Sequence, residues 1–323
     1  MMAGIQEVAR KAGVSQSTVS YVLSGRRPIS DSTRERVLKA IDELNYRPHA
    51  GARALASSKT HVLGLVTPLR PGVNVDVIMQ FVAGIATRAR HYEHDVLLVT
   101  EPNASGIEGV SLRSMVDGFI VMDVESRDSR LPTLAALRQP SVLIGMPEDP
   151  GNLSCIDFDF ESAGSMAVRK LATAGHTRIA LIGSSPAVHS RGTSYAVRLA
   201  RGAEREAEAH RIALQRLACG DDPLEASPLI DELVASGITG LIVHNEAALP
   251  GVVTALARRG PEVAESIAVV AIGPKSLLLA PLLPMTVIDI PGTTIGSTAV
   301  DMLMAVVNDR ALPERRLVAP RVE

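Results

Sequence analysis

Several side chains that can form hydrogen bonds lie close together near the start of the chain. Within residues 4–25, GIQEVARKAGVSQSTVSYVLSG, one face of a predicted helix carries four hydrogen-bonding side chains, Gln16, Ser17, Ser20 and Tyr21. Glutamine can bond to both polar atoms of an adenine edge, and small hydroxyl groups can bond to any base. The spacing therefore predicts a surface that could enter the major groove.

Two short helices joined by a tight turn are needed to present this face. Gly13 is predicted to end the first helix because glycine accepts a left-handed backbone, and Ser15 is predicted to cap the second. The first helix has an apolar face with helical spacing, made of Ile5, Val8, Ala9 and Ala12. An ordinary helical hairpin is the alternative, but the turn, the cap and the polar face together favour a helix-turn-helix.

A third helix is predicted to start near Ser30 or Ser32 and to stop before Pro48. The charge of this region differs from that of the rest of the chain. Residues 1–60 contain ten Lys or Arg and five Asp or Glu, leaving 23 of the 33 basic and 30 of the 35 acidic residues in the remainder. Basic side chains beside a reading helix favour phosphate contact over a merely solvated surface.

The beginning of the chain resembles the LacI-type repressor family, which includes the lac and purine repressors. The matching segments are EVARKAGVS, STVS, VLSG, TRERVLKAIDELNYRP and ARALASSKT, in the family's order. The resemblance implies a helix-turn-helix domain at residues 1–48 that binds double-stranded operator DNA. Together with the polar face it predicts DNA contacts from Ser15, Gln16, Ser17, Thr18, Ser20, Tyr21, Arg26, Arg27, Tyr46, His49, Arg53 and Leu55.

Residues 49–60, HAGARALASSKT, are predicted to form a hinge. In the family this segment folds into a helix in the minor groove, where a leucine is wedged into a base step. The matching residues here are Arg53 and Leu55. Gly51 departs from the bulkier residue usual in the family, and it disfavours a helix unless DNA orders the segment. A flexible tether is the alternative.

Apolar runs alternate with amphipathic segments beyond the hinge, which predicts parallel βαβ units. The series occurs twice, and segments such as GHTRIALIG resemble the periplasmic-binding-protein-like core of the family. The predicted fold is α/β: an all-α head, then a two-lobed core of parallel sheets flanked by helices at residues 61–323, which would bind an effector and dimerise. The resemblance implies a first lobe of about 61–160 and 290–312, and a second of about 161–288 and 315–323.

Ligands of such sheets bind beyond the carboxyl ends of the strands. Polar residues that follow the predicted strands, or that match effector positions of the family, are Asn74, Asp76, Asp123, Arg191, Thr193, Tyr195, Arg198, Asn245, Glu246 and Lys275. Arg201 competes with Arg198 for one of the family positions. Lys275 stands where the family usually has a carboxylate that binds sugar hydroxyls.

Two kinds of effector are compatible with these candidates. Three cations near one cleft, Arg191, Arg198 and Lys275, would favour a phosphate or carboxylate, as in a sugar phosphate or sugar acid. Nearby carboxylates could instead neutralise these cations and leave a neutral sugar, the common effector of the family. A protein co-regulator in place of a small molecule is a third option that the sequence leaves open.

Other sequence features argue against other functions. No nucleophile–base spacing, phosphate-binding glycine motif or cofactor motif occurs, so we predict neither a catalytic residue nor a cofactor. His91 and His94 lack a third ligand nearby, so no metal site is predicted. The absence of a signal peptide or membrane-spanning run favours a cytoplasmic regulator over a solute-binding protein. A homodimer is expected, because two-fold symmetry presents two reading helices to a pseudopalindromic operator.

Overall fold

The computed structural model describes residues 4–24, 27–46, 59–67, 70, 73–220, 222–277, 283–308 and 312–322. Four predicted DNA contacts lie outside these residues, namely Arg26, His49, Arg53 and Leu55. Most of the predicted hinge, including Gly51, lies outside them as well. The roles assigned to these residues therefore stay predictions.

Three helices form the head of the protein: α1 (Ile5–Ala12), α2 (Gln16–Ser24) and α3 (Asp31–Glu43). Their apolar faces meet in a small core that contains Val8, Ala9, Ala12, Val19, Val22, Val37, Ala40 and Tyr46. Burial of these side chains leaves the polar face of α2 on the outside, as the spacing in the sequence predicts.

The turn between α1 and α2 is set by Gly13 and Ser15. Gly13 has a φ of 66°, a left-handed conformation in which any other residue with a Cβ would be strained. The Ser15 Oγ accepts a hydrogen bond from the Thr18 backbone N–H at 3.1 Å and so caps α2. The turn and the cap together fix the orientation in which α2 presents its outer face.

Strands and helices alternate along the rest of the chain. The strands are β1 (Val62–Val66), β2 (Asp95–Val99), β3 (Gly118–Val121), β4 (Ser141–Ile144), β5 (Ser154–Phe158), β6 (Arg178–Gly183), β7 (Ala213–Ala218), β8 (Gly240–Val243), β9 (Ala268–Gly273), β10 (Thr286–Asp289) and β11 (Arg315–Val318). The helices are α4 (Val75–His91), α5 (Ala104–Leu112), α6 (Leu131–Ala136), α7 (Phe160–Thr173), α8 (Pro186–Arg191), α9 (Ser194–Ala209), α10 (Ala226–Ala235), α11 (Leu249–Ala257), α12 (Pro261–Ser266) and α13 (Gly292–Val307).

These strands form two parallel sheets, one in each lobe. The first sheet has the order β11-β5-β4-β3-β1-β2, and the second has the order β10-β9-β8-β6-β7. Most central strands are buried on both faces, which explains their continuous apolar sequences. In the first lobe α13 packs along α4, and in the second α9 packs along α7. The fold is therefore α/β with a two-lobed core, as the sequence predicts.

The position of β11 corrects the predicted lobe boundaries. We expected residues 315–323 in the second lobe, but β11 pairs in parallel with β5 and completes the first sheet. The backbone of β5 is buried, and without β11 its polar groups on that side would have no hydrogen-bond partners. Only the segment after β11 reaches the second sheet, where Val322 forms a bridge to Ile288. The last crossing between the lobes therefore follows Val318.

Candidate functional site

The outer face of α2 carries the predicted base-reading side chains. Gln16 and Ser17 are exposed, and Ser20 and Tyr21 are partly exposed. Val19 and Val22, on the opposite face of the same helix, are buried in the core of the head. The structure therefore brings the polar side chains together on an accessible surface, at the N-terminal end of a short helix.

Four other predicted DNA contacts are placed differently. The hydroxyl groups of Ser15 and Thr18 lie 2.8 Å apart and serve the cap of α2. Arg27 is exposed, with its guanidinium carbon 5.6 Å from the centre of the Tyr21 ring. Tyr46 is only 8 % exposed and belongs to the core of the head, because its ring covers the apolar faces of the helices. The structure thus corrects its placement on the DNA-facing surface.

A cavity of about 140 Å³ lies between the two lobes, at the carboxyl ends of their strands. Five of the ten predicted effector residues line it, namely Asn74, Asp123, Tyr195, Asn245 and Glu246. The other five, Asp76, Arg191, Thr193, Arg198 and Lys275, do not. Arg191 and Arg198 each pair with a carboxylate that lines the cavity, which agrees with the alternative that carboxylates neutralise the cations. Lys275 lies in an exposed turn away from the lining.

Two of the lining residues hold backbone in place as well. The Asn74 side chain accepts the backbone N–H of Asp76 at 3.0 Å and caps α4, which leaves Asp76 on the exposed first turn. Asn245 donates from its amide nitrogen to the Cys219 carbonyl at 2.9 Å and accepts the Ala247 N–H at 3.1 Å. Both amides therefore shape the wall of the cavity.

Asp123 is bonded to both lobes. Its carboxylate accepts a hydrogen bond from Arg191 of the second lobe at 2.8 Å and another from Arg70 of the first lobe. Next to it the two lobes share backbone hydrogen bonds, from Ser194 N–H to the Val124 carbonyl at 2.9 Å and from Ser126 N–H to the Gly192 carbonyl at 2.8 Å. We call residues 123–126 and 191–194 the interlobe latch. Because Asp123 also lines the cavity, an occupant of the cavity would touch the latch directly.

Arg198 forms a buried ion pair that the sequence analysis missed. Its guanidinium donates to the Asp157 carboxylate at 2.5 Å and to the Phe158 carbonyl at 3.1 Å. Burial raises the pKa of Asp157 to about 6 against the opposing charge of Arg198. Arg201, its competitor in the sequence, lies on the surface and pairs with Glu161. The sequence signal for this pair was Asp157 within the apolar run of β5, because a buried carboxylate requires a cationic partner.

Aromatic rings form one wall of the cavity. The ring centres of Phe160, Tyr195 and His244 lie 5.5–5.6 Å apart in all three pairs, and Phe81 of α4 adds a fourth ring to the lining. The sequence analysis predicted only Tyr195. Phe81 was missed because it lies inside α4, where an aromatic residue normally signals core packing. Phe160 is the first residue of α7 and follows the end of β5 by two positions, so its place after a strand end was the available signal.

Comparisons with known proteins agree with this architecture. The profile of the lacI family of bacterial regulatory proteins matches residues 4–49, and that of the periplasmic binding protein-like domain matches residues 150–323. The chain is similar to catabolite control protein A of Streptococcus mutans, with 29 % identity over 321 residues, 97 % of this chain and 94 % of the relative. The chain belongs to the LacI family of bacterial regulatory proteins. It is therefore a DNA-binding transcriptional regulator, and its named relatives are regulators rather than enzymes.

One further relative is similar over part of the chain, and one solved structure shares the fold. The HTH-type transcriptional regulator AglR of Rhizobium meliloti is 35 % identical over 189 residues, 56 % of this chain and 52 % of that relative. A solved structure of the lac repressor dimer bound to operator and the anti-inducer ONPF has the same fold, with a TM-score of 0.81 and 24 % identity over 100 % of this chain and 98 % of that one. In the described part of this LacI-family regulator, no helix is long and apolar enough to cross a membrane, and no cluster of side chains could hold a metal ion.

In this LacI-family regulator, the chain that leaves the predicted hinge is anchored to the first lobe. Asp117 accepts hydrogen bonds from the backbone N–H groups of Thr60 at 2.6 Å and His61 at 2.9 Å, and from the His94 ring at 3.1 Å. Burial alone would raise the pKa of Asp117, but these hydrogen bonds lower it to about 2. The other His94 ring nitrogen faces the Tyr92 carbonyl at 2.6 Å, so both ring nitrogens face acceptors. Burial opposes the charged ring, but the contacts with Asp117 and Tyr92 outweigh it and raise the pKa of His94. We call these contacts the hinge anchor.

Asp117→Asn is expected to loosen the hinge anchor. The new amide nitrogen would face backbone N–H groups, and a hydrogen bond to a charged group contributes about 1.5–3 kcal/mol. Hydrogen–deuterium exchange at the amides of Thr60 and His61 should become at least about tenfold faster. Asp95→Asn, at an exposed carboxylate, is the matched control. Unchanged exchange in Asp117→Asn would show that the carboxylate does not hold this segment.

Proposed function

We propose that the protein is a homodimeric, cytoplasmic repressor whose affinity for a pseudopalindromic operator is controlled by a small molecule bound between the lobes. The observation that carries this proposal is the double role of Asp123, which lines the cavity and also bonds to the opposite lobe through Arg191. A ligand beside Asp123 changes the stability of the closed arrangement, and ligands act on DNA affinity only through such differential binding. Coupling of this kind is typically about 1–3 kcal/mol and is reciprocal.

The exposed face of α2 supports recognition of bases in the major groove. A two-fold dimer presents two such helices, so the operator contains two half-sites about one helical turn apart, or a multiple of that spacing. Arg26 and Arg27 contact phosphates, which positions the helix without reading sequence. Arg53 and Leu55 contact the minor groove if the hinge folds on DNA.

Gln16→Ala is expected to weaken binding to the preferred operator by about 1–3 kcal/mol and to relax the preference at one base pair. The reason is that alanine removes both hydrogen bonds that glutamine makes to adenine. Selection of binding sites from a randomised DNA pool, for the variant and the original protein, measures this directly. Arg26→Ala should instead weaken binding to all sequences alike and reduce the salt dependence. An unchanged site preference for Gln16→Ala would remove Gln16 from the reading surface.

The cavity favours a small, single-ring effector over a phosphorylated one. A cavity of about 150 Å³ holds one benzene ring, so the 140 Å³ between the lobes matches one six-membered ring. Neither Lys nor Arg lines the cavity within the described part of the chain, and Arg191 and Arg198 are each bound to a carboxylate. This lining gives no support to the sugar-phosphate and sugar-acid hypothesis, and it favours a sugar-sized effector without an anionic group.

Effector binding changes DNA affinity through the interlobe latch and the hinge anchor. Lobe closure makes or breaks the interlobe latch, and the hinge anchor ties the segment that leaves the predicted hinge to the first lobe. A change in the relative position of the lobes across the dimer then moves the two hinges together or apart. Because both reading helices must fit their half-sites at once, a small displacement changes operator affinity strongly.

A further inference from the structure

On the cavity wall, one of the described carboxylates has no cationic partner. Asp123 and Asp157 are bound to arginines, but Glu246 forms no ion pair with any described residue. Burial disfavours the charged form of Glu246 and raises the pKa of its carboxyl to about 7. A carboxylate in this position gains strongly from any ligand group that brings positive charge.

The carboxylate of Glu246 is held in place by the end of β9. A Cβ added to Gly273 would lie 2.8 Å from the Glu246 Cγ, so the side chain packs directly on the glycine backbone. The Glu246 side chain therefore packs against the end of β9 and lines the cavity as well. Glycine at position 273 therefore leaves room for the Glu246 side chain.

The rings beside Glu246 are neutral and electron-rich. Burial lowers the pKa of His244 to about 4 and raises the pKa of Tyr195 to about 12, so neither ring is charged at neutral pH. Together with Phe160 they present three aromatic rings within 5.6 Å of one another. Aromatic faces attract cations, and a set of rings next to a carboxylate is a common way to bind an ammonium group.

An unsatisfied hydroxyl lies in the same cavity. Ser185 is 7 % exposed, lines the cavity, and its Oγ has no hydrogen-bond partner among the described residues. A buried hydroxyl without a partner is costly, so a ligand that bonds to it gains affinity. The oxygen can accept from an ammonium or hydroxyl group of the ligand, or donate to a ring oxygen.

We propose that the effector is a single six-membered ring that carries a protonated amine, with the ammonium group bound between Glu246 and the rings of Tyr195 and His244, and a second polar group bound to Ser185. This inference rests on the proposed function, because it identifies the chemistry of the molecule that occupies the regulatory cavity. An amino sugar and a cyclic amine both belong to this class. An anionic ring is repelled by the ionised form of Glu246. A neutral ring gains no charge attraction from it, because the carboxyl can remain protonated beside such a ligand.

Matched pairs of ligands test the proposal on the full-length protein. Isothermal titration calorimetry is performed with glucosamine against glucose, and with cyclohexylamine against cyclohexanol. In at least one pair the amine should bind about tenfold more tightly or better, a difference of about 1.4 kcal/mol. Glu246→Gln should abolish this preference, and Glu265→Gln, at an exposed position on α12, should retain it. Gly273→Ala should also reduce the preference, because the new Cβ displaces the carboxylate without removing it.

Each outcome decides the question. A preference for the amine that is lost in Glu246→Gln and reduced in Gly273→Ala supports the proposal. Equal affinity within both pairs, no binding by either amine, or a preference that survives Glu246→Gln overturns it. Operator binding is measured on the same samples by fluorescence anisotropy. Sequence-specific operator binding without amine preference would reject the inference and keep the regulator, whereas loss of operator binding in the original protein would reject the proposed function itself.

Discussion

Replacing Arg198 by alanine is expected to lower the free energy of unfolding by about 3–5 kcal/mol at pH 7.5. The guanidinium and the Asp157 carboxylate are both more than nine-tenths buried, so removal of the arginine leaves a carboxylate without a counter-charge in the centre of the protein. The loss of the hydrogen bond to the Phe158 carbonyl adds to this cost. Because Asp157 lines the cavity, the variant should also lose effector binding.

Urea denaturation followed by circular dichroism measures the effect, with Arg201→Ala as the matched control. Arg201 lies on the same helix, and its side chain is 58 % exposed and paired with Glu161 at the surface. A surface pair of this kind contributes about 0–1 kcal/mol. Similar losses for the two variants would contradict the assignment of Arg198 to a buried pair.

The instability of Arg198→Ala should depend on pH. Burial raises the folded-state pKa of Asp157 to about 6, above the ordinary value of 3.8, and Arg198 opposes this shift. A group with a raised folded-state pKa favours folding at low pH, and this contribution is lost as the pH rises through the folded pKa. Without Arg198 the pKa rises further, so the variant should be more destabilised at pH 8 than at pH 5.5.

The head could be predicted from the sequence because its determinants are local. The glycine turn after Ala12, the serine cap at Ser15 and the spacing of Val19 and Val22 each act within a few residues, and they fixed both helices and the outer face of α2. Tyr46 was misplaced because an aromatic residue near basic side chains suits a DNA surface and a core equally well. Only the packing of three helices decides between them.

The cavity was predicted less well because its contents depend on contacts between distant segments. Strand ends indicated Asp123 and Glu246, and both line the cavity because all parallel strands of a lobe end at the same edge. The pairing of Arg198 with Asp157 joins residues 41 positions apart in different lobes, and no local pattern encodes it. Ion pairs between distant segments also explain the missing cations: the sequence placed three of them near the cleft, but none is among the described residues that line the cavity.

A disulfide across the interlobe latch is expected to change operator affinity by about 5–150-fold, the range typical of allosteric coupling. Glu125 and Thr193 face each other as an antiparallel bridge, flanked by the hydrogen bonds of Ser194 to Val124 and Ser126 to Gly192. Residues in such a non-hydrogen-bonded pair have Cα atoms about 4.5 Å apart, which is within the span of a disulfide. Glu125→Cys combined with Thr193→Cys therefore locks the lobes in the closed arrangement when oxidised.

The central claim is that the arrangement of the two lobes controls DNA binding, and this double variant tests it without knowledge of the effector. The native cysteines, Cys155 and Cys219, are both buried, so oxidation should act on the introduced pair. Fluorescence anisotropy gives the Kd for the selected operator before and after reduction of the same sample, with each single variant as a control for the reductant. We predict that the oxidised and reduced forms differ at least fivefold in Kd while the single variants do not change. Equal affinity of the locked and unlocked forms for the operator would contradict the account.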